Sequence, residues 1–261
     1  ILIGLVGSEM CIRDSTTFIT ASAGNHGLSV AAGAKTFGAK SVVYLSHTVP
    51  ETFAEKLRLQ GAKVCRKGND YEASMIAAAK AATVNSWVLL SDSSWPGNTE
   101  LPRRLMEGYL VMAAEIVKQM TSAPTHIFLQ AGVGGLAAAC AAYFRSTWVD
   151  APNITVVEPE AAPALHDAIQ AGRVVSATGP VSSMGRLDCK EASMIALNGL
   201  ARDADRFVLL SDDEVEDVMP DLADLGLATT PSGGAGLAAA LLGKVDLPSD
   251  ARILVILSEE A

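Results

Sequence analysis

Thr125-His126-Ile127-Phe128-Leu129-Gln130-Ala131-Gly132-Val133-Gly134-Gly135-Leu136 passes from an aliphatic run through a glycine-rich turn into an Ala-rich stretch. Thr125–Leu129 has the length and content of a buried strand, and Leu136–Phe144 those of a packed helix. A strand that turns sharply into a helix is the unit from which parallel sheets with crossover helices are built. The rest of the chain repeats this rhythm.

Upstream, strands are predicted at Thr17–Thr20, Ser41–Leu45, Lys63–Arg66 and Trp87–Leu90, alternating with helices at Gly27–Phe37, Glu51–Leu59 and Tyr71–Ala82. Downstream, strands are predicted at Ile154–Val157, Phe207–Leu210 and Ile253–Leu257, with helices at Leu101–Met120, Asp213–Leu225 and Ala235–Leu242. The class is α/β. Pro96 and Gly97 interrupt the pattern, so a small lobe over 16–95 and a larger one over 96–261 are expected. Ser211-Asp212-Asp213-Glu214 places a serine three residues before a glutamate at a helix start, which is a capping box and not a catalytic cluster.

Residues 1–15, ILIGLVGSEMCIRDS, start apolar without a basic region and fit neither a secretion signal nor the pattern that follows. They are expected to be foreign sequence joined to a truncated gene, against the alternative of a short strand at Ile1–Val6.

With 261 residues, 49% hydrophobic and 19% charged, the chain can bury a substantial core. The net charge of −9 comes without a basic cluster, which gives no electrostatic support to a nucleic-acid or anionic-membrane partner. Cys11, Cys65, Cys140 and Cys189 lie far apart, without zinc-ligand spacing, so no metal is expected and reduced cytoplasmic thiols are. The expected partner is a small molecule.

The bare N–H groups of Gly132, Val133, Gly134, Gly135 and Leu136, with the helix start behind them, can converge on a phosphate. Close packing of helix on strand would call for the same glycines. Gly132-x-Gly134-x-x-Ala137 also satisfies the relaxed dinucleotide fingerprint, and Glu158 ends the next strand about where a ribose-binding acid would sit, roughly 20 residues on. An NAD-dependent oxidoreductase is therefore one alternative. A second glycine-rich helix entry, Thr230-Pro231-Ser232-Gly233-Gly234-Ala235-Gly236, is either the far wall of a cofactor pocket or a tight turn.

Ser22-Ala23-Gly24-Asn25-His26-Gly27 lies between a strand and an Ala-rich helix, where small residues admit a planar ligand and the helix start favours a carboxylate. This stretch is similar to the asparagine loop of fold-type II pyridoxal-phosphate enzymes, the tryptophan-synthase-β-like superfamily. The resemblance implies that Asn25 contacts the cofactor's phenolic oxygen and that Gly132–Leu136 hold its phosphate. Ser258, in Ile256-Leu257-Ser258-Glu259, would hydrogen-bond the pyridine nitrogen, and Ser22, Ala23, Gly24, His26 and Gly27 would line the substrate site.

Asp92-Ser93-Ser94-Trp95-Pro96-Gly97-Asn98-Thr99-Glu100-Leu101-Pro102, followed by Met106-Glu107-Gly108-Tyr109, resembles the Asp-x-x-Trp-x-Gly segment of diaminopropionate ammonia-lyases within that superfamily. By this resemblance the intact enzyme eliminates ammonia from 2,3-diaminopropionate, with Asp92 as the acid near the substrate, and works as a cytoplasmic homodimer. Serine/threonine and hydroxyaspartate ammonia-lyases share the loop motifs and remain alternatives, as does a non-catalytic pyridoxal-phosphate or phosphate-binding protein.

Two departures stand out. Ala23 occupies the position where diaminopropionate enzymes carry Asp and serine-racemase-like relatives carry Ser, so selectivity for L-amino acids is expected. The superfamily's Schiff-base lysine precedes the asparagine loop, whereas the first lysine here is Lys35, so the chain reads as an inactive fragment of a lyase. Lys190, in Asp188-Cys189-Lys190-Glu191, is expected to be a solvated surface lysine.

Overall fold

The computed structural model describes residues 15–149 and 151–260, so the expectations for residues 1–14, including a strand at Ile1–Val6, lie outside the described residues. The chain divides into two compact units, up to Ser91 and from Asp92 onward.

In the first unit, β1 (Thr17–Ala21), β2 (Lys40–Leu45), β3 (Lys63–Arg66) and β4 (Val88–Leu89) form a parallel sheet in the order β3-β2-β1-β4. The crossovers are α1 (Asn25–Thr36), α2 (Glu51–Leu59) and α3 (Tyr71–Asn85). Because side chains alternate across a strand, one face carries Ile19, Ala21 and Val42 against Ala78 and Ala82 of α3. The opposite face carries Val43 and Leu45 against Ala31 of α1 and Phe53, Ala54 and Leu57 of α2. Both faces of a parallel sheet must be covered, which is why its strands read as continuous apolar runs.

The second unit repeats the plan. Its strands β5 (His126–Gln130), β6 (Asn153–Pro159), β7 (Arg206–Leu210) and β8 (Ile253–Val255) are parallel in the order β7-β6-β5-β8. Its helices are α4 (Glu100–Gln119), α5 (Gly135–Trp148), α6 (Ala164–Ala171), α7 (Met194–Asp203), α8 (Asp212–Asp224) and α9 (Pro231–Leu241). Ile127, Leu129, Ile154 and Val156 face Ala113, Ala137, Phe144, Leu197 and Leu200 on one side. Phe128 and Val157 face Val215, Val218, Leu222 and Ala238 on the other.

Two helices, α6 and α7, were not anticipated from the sequence. The small residues of α5 from Ala137 to Ala141 are buried within this unit, so they serve packing inside the chain. The capping box is present: Glu214 N donates to Ser211 Oγ at 3.2 Å, and Ser211 N donates to Glu214 Oε2 at 2.9 Å. No helix among the described residues is long and apolar enough to cross a membrane.

Two glycines of α1 give a matched test of this packing. A Cβ on Gly27 would come within 2.6 Å of the Ser22 carbonyl oxygen, whereas one on Gly33 meets nothing within 4 Å. Gly27→Ala should cost about 1–3 kcal/mol through overpacking. Gly33→Ala should stabilise by about 0.5–1 kcal/mol by stiffening a helix interior at a position with room for the methyl group. Thermal unfolding of the two variants checks both signs.

Candidate active site

In the second unit, β5 hands over to α5 through Ala131–Gly134. Gly134 has φ +97°, a left-handed conformation that glycine adopts without the penalty of a side chain. A Cβ there would sit 3.0 Å from Leu165 Cδ1 and 3.2 Å from Ala196 Cβ. A Cβ on Gly132 would lie 3.0 Å from Cys189 Sγ and 3.1 Å from the Arg186 carbonyl oxygen. Packing alone therefore explains these two glycines. Gly135 differs: its nearest prospective neighbours are Met106 Cγ at 3.5 Å and the Asp92 carbonyl oxygen at 4.0 Å, which is ordinary contact. The first-turn N–H groups of α5 have no partner within the helix and carry its positive dipole end. The structure thus joins a protein-packed glycine turn to a helix start at which a Cβ on Gly135 would make only ordinary contacts.

Asp92 begins the second unit and comes alongside this helix start. Its Oδ1 is buried and has no hydrogen-bond partner. Tyr109, on α4, is held above the ordinary phenol range first by burial and then by the Asp92 carboxylate. Asn98 Nδ2, in the same loop as Asp92, is also buried and unpartnered.

Gln130, at the end of β5, was quoted in the sequence without a role. Its Nε2 donates to the Ile256 carbonyl at 2.7 Å and the Gly233 carbonyl at 3.0 Å, and lies 3.1 Å from Ser258 Oγ. Two carbonyl acceptors fix which end of the amide faces them, and this places the Ser258 hydroxyl beside the strand that feeds the glycine turn. A polar residue closing an apolar strand was the available signal.

In the first unit, the Ser22–Gly27 stretch forms the entry to α1. Ser22 Oγ accepts from Gly24 N at 3.2 Å, and Ala23 packs against the core cluster of α1 and α2. His26 Nε2 lies 2.9 Å from the Leu90 carbonyl and 3.1 Å from Thr20 Oγ1, so the imidazole ties the loop to β1 and to the end of β4. Asn25 is exposed at the first position of α1.

Two expectations are corrected, and a third stretch is described. Glu158, assigned to a ribose in the dinucleotide alternative, is fully buried, and its oxygens accept from Leu165 N and His166 N at 2.7 Å each. Pro163 at the N-cap of α6 has no side-chain acceptor, and Glu158 caps the helix in its place. Lys190 is not a freely solvated surface lysine: its side chain is half-buried, and its Nζ donates to Asp188 Oδ1 at 2.7 Å, the Ala161 carbonyl at 2.8 Å and the Pro180 carbonyl at 2.9 Å. The Thr230–Gly236 entry is a capped, closely packed helix start. Thr230 Oγ1 caps Gly233 N, and Cβ atoms on Gly233, Gly234 or Gly236 would fall within 2.6–2.9 Å of neighbouring atoms.

The sequence profile of the pyridoxal-phosphate dependent enzymes matches residues 5–259, and the chain belongs to that family. Among its relatives, the diaminopropionate ammonia-lyase of Salmonella typhimurium is 36% identical over 187 residues, covering 69% of this chain and 46% of that protein. The enzyme of the same name from Escherichia coli K12 is 28% identical over 270 residues, covering 95% of this chain and 68% of that protein. A solved structure of the Escherichia coli diaminopropionate ammonia-lyase superposes with a TM-score of 0.86 at 26% identity, over 94% of this chain and 68% of that one. The chain thus spans 46% of the length of the first relative and 68% of the second.

Burial pushes the Glu158 carboxyl up to about 8, against the opposing pull of the two amides it accepts from. A carboxyl whose folded value lies above its unfolded value of ~4.3 binds its proton more tightly when folded. Its contribution to stability is full below that unfolded value and is lost as pH rises through about 8. The stability of wild type relative to Glu158→Gln should therefore fall between pH ~5 and ~9, which denaturant titrations at several pH values will measure.

Proposed function

We propose that this sequence forms the body of a pyridoxal-phosphate-dependent ammonia-lyase that converts 2,3-diaminopropionate and water into pyruvate, with both amino groups released as ammonia. The observation that carries the reading is the buried, unpartnered Asp92 carboxyl oxygen, on a residue whose backbone carbonyl comes alongside the start of α5. Relatives named for this reaction support it.

In this reading Gly132, Val133, Gly134, Gly135 and Leu136 hold the cofactor phosphate with backbone N–H groups, Ser258 meets the ring nitrogen, and Asn25 meets the phenolic oxygen. Bound pyridoxal phosphate supplies a conjugated ring that accepts the electrons left when an α-proton is removed. Ser22, Ala23, Gly24, His26 and Gly27 form the loop that receives the substrate carboxylate. Asp92 donates a proton to the departing β-amino nitrogen, a role for a carboxyl shielded from water. Lys190 takes no part, because three acceptors hold its ammonium. By the same family resemblance the working unit is a homodimer, which light scattering will test, and the wide spacing of the cysteines points to a reducing, cytoplasmic setting.

Titration of the purified chain with pyridoxal phosphate should show saturable binding that inorganic phosphate competes away. Gly135→Ala, whose Cβ has room within the protein, should keep the fold and weaken that binding. Borohydride trapping and peptide mapping should leave Lys190 unlabelled. No binding, or binding unaffected by Gly135→Ala, overturns the cofactor assignment.

In the intact enzyme, Asp92→Asn should lower kcat on diaminopropionate by about 10²–10⁴-fold. A variant that keeps full kcat removes Asp92 from the chemistry. Ala23 supports turnover of L- but not D-diaminopropionate, and equal rates on the two enantiomers in a pyruvate-coupled assay would contradict it.

A further inference from the structure

Ser94 lies two residues after Asp92, in the loop that connects Ser91 to α4, and is 3% exposed. Its Oγ accepts from Ile195 N at 2.9 Å and lies 2.8 Å from Ser193 Oγ. Its N–H donates to Ser193 Oγ at 3.1 Å, and its carbonyl accepts from Met194 N at 3.0 Å. Ser193 is fully buried and sits at the N-cap of α7 without a side-chain cap bond of its own. The hydroxyl of Ser94, 101 residues upstream of Ile195, does the capping instead.

The chain of bonds continues. Ser193 N donates to the Val133 carbonyl at 3.0 Å, inside the glycine turn that leads into α5. One buried hydroxyl pair thus connects three segments: the loop of Asp92, the start of α7 and the turn that meets the phosphate in the proposed function. Each backbone polar group joined here would cost about 1–3 kcal/mol if it were left buried and unpaired. The register of the Asp92 loop against the glycine turn is correspondingly stiff.

We propose that Ser94, through Ser193, is the positioning residue that sets Asp92 at the start of α5. Ser94 touches neither cofactor nor substrate. It acts on catalysis through the placement of Asp92, and so this assignment rests on the reading of Asp92 as the acid. A cap that only stabilised α7 would need the bond to Ile195 N and nothing else. Here the cap is reciprocal, with amide and hydroxyl bonds running in both directions between the two segments.

Tyr109 provides a readout that needs no bound cofactor, because it senses the Asp92 carboxylate. In protein labelled at the tyrosine ring carbon, NMR titration of Tyr109 should shift to a lower midpoint in Asp92→Asn. Ser94→Ala should produce a shift in the same direction, and the double variant should go no further than Asp92→Asn alone. Ser94→Thr, which keeps the oxygen, should return the midpoint toward wild type.

Ser193→Ala keeps the Ile195 cap while removing the acceptor for Ser94 N, and it should lower the midpoint even if Ser94→Ala unfolds. An unchanged Tyr109 midpoint in folded Ser94→Ala or Ser193→Ala, with only thermal stability reduced, overturns the proposal. Pyridoxal phosphate added to the same samples separates the two claims. Absence of binding with the Tyr109 shifts intact leaves the placement of Asp92 standing and removes the lyase reading.

Discussion

The close backbone approach at the end of β5 constrains everything around it. Gly132 lies under Cys189 and the Arg186 carbonyl, and Gly134 turns left-handed against Leu165 and Ala196. These contacts bring the 184–189 segment, α6 and α7 onto one turn. A side chain at either glycine would push at least one of them away. The glycines therefore do structural work first, and the placement of the α5 start follows from it. Gly135 is the one in this turn whose freedom the surrounding protein does not use up, which makes it the position where ligand and packing explanations separate.

Around that turn, carbonyl and hydroxyl groups hold distant segments in register. Ser193 reaches the Val133 carbonyl, Ser94 reaches Ser193 and Ile195, and Gln130 draws together the Gly233 and Ile256 carbonyls beside Ser258. Apolar packing cannot supply this, since it is non-directional and tolerates small slides. Buried hydrogen bonds do supply it, because a displaced donor or acceptor has no water to turn to. The apolar layers hold the unit together, and the polar links decide which residues stand next to one another.

This division of labour explains what could be read from the sequence. Strands such as Ile127–Leu129 and Val42–Leu45 are buried on both faces and announce themselves as apolar runs, so the α/β plan and the glycine turn were visible. Helices α6 and α7 were not. The start of α6 is capped by Glu158 across the unit and that of α7 by Ser94, so neither has the local serine and glutamate signature that revealed α8. For the same reason Glu158 looked like a ribose ligand: an acid at a strand end has the same spacing whether it meets a sugar or two helix amides. Lys190 was misread because its three acceptors come from residues 161, 180 and 188, and the two carbonyls among them cannot be inferred from side-chain chemistry.

Unpaired buried polar atoms are where a fold departs from its own rules, and such departures gather at functional sites. Among the described residues they are Asp92 Oδ1, Asn98 Nδ2 and Gln130 Oε1. Two lie in one loop, and the third is on the strand that leads into the glycine turn. Each costs about 1–3 kcal/mol, a large fraction of the stability of an ordinary domain. A fold that satisfies Ser94, Ser193 and Lys190 so fully nearby has no general difficulty in pairing polar groups. Leaving Asp92 Oδ1 without a protein partner, on a loop held by two reciprocal serines, sets it apart from the fully paired groups of this unit and is what the role proposed for Asp92 requires.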